Sequence, residues 1–142
     1  MIEINNKTKS SIDLKLVKKV CEEFLKYNNI KNKIVSIGFV GDVIIKKLNN
    51  KYRKINKTTD ILSFQAGKED NKYLGELIIN YAQIKKQAKI FSNNIKDELI
   101  FILIHGLLHL LGYEDETEKG RIQMEKLGNE FINFYDKNKK II

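Results

Sequence analysis

The chain has 142 residues, 42% hydrophobic and 31% charged, which is the composition of one globular domain and excludes a disordered tail protein. Its single cysteine, Cys21, excludes an internal disulfide framework or a cysteine-built zinc cluster, and no 18-residue apolar run or signal-peptide pattern is present, so a soluble protein of a reducing compartment, with no membrane partner, is expected. The net charge of +8 is uneven: residues 1–60 carry 14 Lys/Arg against 6 Asp/Glu, whereas residues 61–142 carry 12 of each, so the first half is expected to face a polyanion.

In chain order, Met1–Asn5 reads as a short edge strand, and Ser10 followed by Asp13 resembles a capping box. Val17, Val20, Cys21 and Phe24 then recur at helical spacing, predicting a helix to about Asn28 with Cys21 in the core. Val35, Ile37 and Phe39 alternate as a strand does. Gly41-Asp42 opens a second helix, with Asp42 as N-cap and Ile44 or Ile45, Leu48 and Tyr52 as its inner stripe. Ile61–Gln65 and Leu74–Ile79 form a hairpin around the polar turn Gly67–Lys72. Tyr81, Ile84, Ala88 and Phe91 mark a further helix, Asp97–Leu111 another, and Met124, Leu127, Phe131 and Phe134 a last one before a charged, frayed tail. Early strands and late helices predict an α+β fold: a single domain over residues 1–142, with helices packed on one small mixed sheet.

The chemistry concentrates in Ile100–Leu111, IFILIHGLLHLL. A helix apolar on nearly every face belongs at the centre of a core. Both histidines of the chain, His105 and His109, lie in it four residues apart, so their imidazoles share one face and can meet one metal ion. Gly112 suits the residue that ends this helix. Gly106 occupies the place where a zincin protease has its general-base glutamate, which argues against a metal-dependent peptidase. A third ligand must follow the helix: Glu114, Asp115, Glu116 and Glu118 are the candidates, and Asp115 with Glu118 also has capping-box spacing for the last helix.

The stretch HGLLHLLGYED, His105–Asp115, resembles the signature of the YbeY family of bacterial rRNA-maturation endoribonucleases, usually H-G-x-L-H-L-x-G-Y-D-H. Leu48–Phe64 (LNNKYRKINKTTDILSF) is similar to that family's Asn–Tyr–Arg segment leading to Thr-Asp-Val-Leu-Ser-Phe, and Leu74–Ile79 (LGELII) to its Gly-Asp-Ile strand. The resemblance implies one zinc per chain. It places His105 and His109 on the first two of three ligand histidines and Asp115 on the third. A carboxylate is an ordinary ligand in catalytic zinc sites, but its extra negative charge makes a bound water less acidic and admits harder divalent metals. Glu114 stands where the family usually has Asp. Lys57-Thr58 and Gln65 stand where it commonly has Lys-Pro and Pro.

Arg53 matches the arginine assigned to catalysis in the family, and a guanidinium fork suits the non-bridging oxygens of a phosphodiester. Asp60 and Glu114 are expected beside the metal ligands, Asp60 either orienting a histidine or capping a strand. Ser63 and Phe64 match positions lining the cleft. Lys51, Lys54 and Lys57 are expected to hold RNA phosphates, with Tyr52, Phe64 and Tyr113 available for base stacking. The resemblance thus implies a cytoplasmic, zinc-dependent, single-strand-specific endoribonuclease of 16S rRNA 3′-end maturation and ribosome quality control. Its partners would be rRNA, ribosomal particles and ribosome-associated proteins. A non-catalytic ribosome-binding module with a closed structural metal site is the rival.

Overall fold

Four strands build the sheet in a computed structural model that describes residues 1–139. The order of elements is β1 (Ile2–Asn6), α1 (Leu14–Tyr27), β2 (Ile34–Phe39), α2 (Asp42–Arg53), β3 (Ile61–Gln65), β4 (Tyr73–Ile79), α3 (Tyr81–Ile90), α4 (Ile95–Leu110) and α5 (Glu118–Asn138). The sheet order is β1-β2-β4-β3; β1 and β4 lie parallel to β2, and β3 returns antiparallel to β4 as the expected hairpin. The architecture is the α+β one anticipated. No helix among the described residues is long and apolar enough to cross a membrane.

Alternation along the strands sorts the two faces of the sheet. Val35, Ile37, Phe39, Leu77 and Ile79 point into the main core, with α1, α4 and α5 on that side. Leu62 points the other way and meets Val40 and Ile45 under α2. The edge strand β3 therefore runs between α2 on one face and α4 on the other. Cys21 is fully buried, and burial pushes its thiol well above the ordinary range, so it is core and not a reactive group.

Several local expectations are corrected. Asp13, not Ser10, caps α1, its carboxylate accepting from Leu16 N. Gly41 is the N-cap of α2, and Asp42 turns its carboxylate outward to Asn80 Nδ2 (2.6 Å) and Thr58 Oγ1 (3.3 Å). Ile45 is the inner residue, while Ile44 and Tyr52 are exposed and the polar Asn49 is buried in place of Tyr52. Asn49 donates to the Lys57 carbonyl at 2.9 Å, which ties the loop after α2 to the helix. Phe91 is exposed because α3 ends one residue before it. Asn94 caps α4, which starts two residues earlier than expected. Helix α5 continues to Asn138 over most of the expected frayed tail; residues 140–142 of that tail lie outside the described residues.

Candidate metal centre and its cleft

Helix α4 is buried on almost every side, and Gly106 is what lets it settle on the sheet. A Cβ there would lie 2.5 Å from Ile61 Cδ1, 3.1 Å from Leu77 Cδ2 and 3.3 Å from Ser63 Oγ. The residue that breaks the zincin pattern is thus a close-packing residue. Beyond the first turn, one stripe of α4 escapes burial: Phe101, His105 and His109, each four residues from the next.

The end of α4 places the third group. Gly112 has φ +99°, a backbone state that suits glycine. Its N–H donates to the His109 carbonyl (3.0 Å), and Tyr113 N–H donates to the Leu108 carbonyl (3.2 Å), the paired bonds of a Schellman turn. The reversal brings Tyr113 O within 2.9 Å of His109 Nδ1. A carbonyl oxygen only accepts, so Nδ1 carries the proton, and in the neutral ring Nε2 keeps its lone pair for the cleft. Gln65 Nε2 donates to the same His109 carbonyl at 2.9 Å, and Ser63 Oγ to the Gly106 carbonyl at 3.3 Å, so β3 braces this end of the helix.

Two residues beyond the turn, Asp115 lies over both histidines. His105 Nε2 is 3.1 Å from Asp115 Oδ2 and 3.2 Å from His109 Nε2, and His109 Nε2 is 3.6 Å from Asp115 Oδ2. Ligands about 2.0–2.1 Å from a tetrahedral zinc ion stand about 3.3 Å apart, so the three edges fit such an ion with little adjustment. The set also sits at the C-terminal end of α4, where the helix dipole favours a cation. Among the described residues the group holds three ligating side chains, not four, which is the donor count of a site with an open position.

Asp115 does not cap α5. That place belongs to Thr117, whose side chain accepts from Gly120 N at 3.0 Å. Among the described residues the Asp115 carboxylate is engaged only by the two histidines.

The three groups open into a cleft of about 570 Å³ that also takes in Arg53, Asp60, Ser63, Glu114 and Glu116. Arg53 reaches it from the far face of the sheet because α2 ends at the β3 edge. The following loop is held by the Asp42–Thr58–Asn80 cluster, with Asn80 fully buried. Asp60 lines the cleft without touching a histidine; its carboxylate accepts from Gln87 Nε2 at 3.2 Å, and Gln87 also donates to the buried Glu98. The orienting partner of His109 is therefore a backbone carbonyl. Glu114 is exposed on the cleft wall. Lys51, Lys54 and Lys57 are exposed near Arg53 at the end of α2 and in the loop after it, outside the cleft lining. Tyr52 is exposed, edge-on to Phe64 with centroids 5.3 Å apart, and Lys51 Nζ lies 5.1 Å from its ring. Tyr113 is half-buried against the core.

Glu116, a candidate third ligand in the sequence, lines the cleft outside the His–Asp group, and sequence reasoning missed Phe101, Gln65 and Gln87. The four-residue step from His105 back to Phe101 was a usable signal; the two glutamines act across elements and carried none.

An open His₂–carboxylate centre in a cleft on an α+β domain is the constellation of a metal-dependent hydrolase. The family model described as endoribonuclease YbeY matches residues 2–136, and the chain belongs to that family. The endoribonuclease YbeY of Nitratiruptor sp. is 34% identical over 143 residues, covering 100% of this chain and 94% of that one. That of Persephonella marina is 39% identical over 118 residues, covering 80% and 77%. A solution structure of a Thermotoga maritima protein superposes with a TM-score of 0.64 at 28% identity, covering 97% of this chain and 93% of that one.

Proposed function

We propose that the whole chain acts as one metal-dependent, single-strand-specific endoribonuclease unit. In this reading it works in the cytoplasm on rRNA within ribosomal particles, in 16S rRNA 3′-end maturation and ribosome quality control. The observation that carries the reading is the near-equilateral triangle of His105 Nε2, His109 Nε2 and Asp115 Oδ2 at one wall of the cleft. These three residues hold one zinc ion, and the carboxylate also admits harder divalent ions. When bound, the ion supplies Lewis-acid polarisation of a phosphate oxygen and an acidified water.

The charge of the cleft supports the same reading. Its lining carries four carboxylates, Asp60, Glu114, Asp115 and Glu116, against the one guanidinium of Arg53. A phosphodiester would be repelled by that lining alone, so the site suits an anion only with a cation in place. Arg53 acts from the opposite wall. Its planar fork holds two non-bridging oxygens and stabilises charge that develops on them. Asp60 or Glu114 can accept the proton released by the attacking water, since both face the cleft within the same cavity. Lys51, Lys54 and Lys57 hold the flanking backbone.

The test combines elemental analysis with cleavage of single-stranded RNA. About one zinc per chain and cutting activity are expected of the native protein, and neither of the His105→Ala, His109→Ala double variant. Full metal content in that variant would refute the assignment.

A further inference from the structure

We propose that the cavity between α4 and α5 is a nucleobase pocket that selects a guanine beside the scissile phosphate. The proposal rests on the endoribonuclease reading and deepens it. The cavity measures about 190 Å³, and His105 and Asp115 form part of its wall, so it opens directly off the metal centre. Ligand sites for drug-sized molecules run to roughly 300–1,000 Å³, and a space of this size fits one ring system rather than a whole nucleotide chain. Its floor is apolar, made by Leu108, Met124 and the bare backbone of Gly128. At its mouth stands Phe101, an aromatic ring left 46% exposed on a largely buried helix. A ring in that position offers a π-face to a base drawn out of a single strand.

The rim is polar in a specific way. Arg121 and Glu125 lie four residues apart on α5 and both border the cavity. Among the described residues neither is in an ion pair, so a forked donor and a carboxylate acceptor are both available to a ligand. Guanine presents the complementary set: O6 and N7 accept from an arginine fork, and N1–H and N2–H donate to a carboxylate. Uracil and cytosine lack the N7 acceptor, and adenine lacks the O6.

The distribution of arginine supports the same conclusion. The chain uses lysine 24 times and arginine twice, and the two arginines border the two cavities that meet at the His–Asp group. Lysine would serve for charge alone. An arginine at each place suits planar, two-point recognition, of a phosphate by Arg53 and of a base by Arg121.

Gly128 supplies the means of closing the pocket. A Cβ built there would lie 3.7 Å from Ile104 Cγ2 and 3.9 Å from Leu108 Cδ1, ordinary contacts, so a larger side chain can occupy the space a base would take. The experiment titrates fluorescent 2′-O-methyl pentauridylate, with or without one central guanine, adenine or cytosine, by anisotropy in excess zinc. Cleavage positions are then mapped in zinc on a mixed-sequence single strand. The native protein should bind the guanine oligonucleotide about tenfold more tightly than the uridine-only one, as expected of one two-point arginine contact, and cut at a constant distance from guanine. Gly128→Leu and Arg121→Lys should each bring the ratio below twofold and scatter the cuts. Equal affinities in the native protein, or a preference that survives Arg121→Lys, overturn the pocket while leaving the endoribonuclease reading intact. No binding of any RNA overturns both. Should Gly128→Leu misfold, Arg121→Lys at its exposed position decides the matter alone.

Discussion

Asp115 and Thr117 stand two residues apart at the start of α5, and the structure gives them separable tasks. Thr117 caps the helix through Gly120 N, whereas the Asp115 carboxylate faces His105 and His109. Removing the cap by Thr117→Ala should cost about 1 kcal/mol whether or not metal is present. For a domain of 142 residues that lowers the thermal midpoint by about 3 °C. Asp115→Asn should behave in the opposite way. The carboxylate is 37% exposed, so its contacts with the histidines contribute little to the metal-free fold, and the amide keeps the shape. As a metal ligand the neutral amide is far poorer, and an affinity loss of tenfold or more is expected.

The loss translates into a thermal signature. Stabilisation by a ligand that binds only the native state grows as RT ln(1 + [L]/Kd), so a tenfold weaker site forfeits about 1.4 kcal/mol at excess metal. The midpoint in excess zinc should then fall by about 4 °C for Asp115→Asn, with no change in chelator. Differential scanning fluorimetry with and without zinc, together with calorimetric titration, separates the two variants. Asp115→His should keep or raise zinc affinity. Native zinc binding by Asp115→Asn, or a zinc-specific loss in Thr117→Ala, would refute the division of tasks and shift attention to Glu114.

Two further outcomes test the walls and the rim. Arg53→Lys keeps the charge but loses the fork, so the cleavage rate should fall by about 10²–10³-fold while metal content and thermal midpoint stay native; equal rates in single-turnover assays would place Arg53 outside the chemistry. Reversing Lys51, Lys54 and Lys57 to Glu should reduce the slope of log K against log salt for single-stranded RNA by about 2, from three phosphate contacts at about 0.7 each; an unchanged slope would put the RNA path elsewhere.

What was legible in the sequence follows the range of the forces involved. The apolar periodicity of α1 and the alternation of β2 are local patterns set by burial, and both elements formed as read. His105 and His109 were legible because a fixed four-residue step on one helix guarantees their proximity. Asp115 was harder. Its place depends on the turn at Gly112, and residue chemistry alone left it level with Glu114 until the family register was applied. Tyr52 was misjudged because α2 buries a narrow stripe on the far side of the sheet, where Asn49 is needed to hold the Lys57 carbonyl. Arg121 and Glu125 looked like one turn of a solvated helix face. Only the packing of α5 against α4 turns them toward the histidines, and no short-range pattern encodes that.

The two halves of the charge distribution then acquire different work. Positive charge outside the cleft acts over a Debye length of about 8 Å at physiological salt and draws a polyanion toward the β3 edge without regard to its sequence. Inside, the balance reverses: four carboxylates face one guanidinium, a lining whose charge favours a cation over a phosphate. In the proposed reading, a strand attracted by Lys51, Lys54 and Lys57 therefore meets a site that is closed to it electrostatically until the His105–His109–Asp115 group is filled. Replacing a third histidine by Asp115 strengthens that dependence, because it adds one negative charge to the wall that a phosphodiester must approach. The proposal then leans more on Arg53, the one guanidinium in the cleft lining. On that proposal, affinity for RNA is set at the rim, and competence to cut it by what occupies the floor.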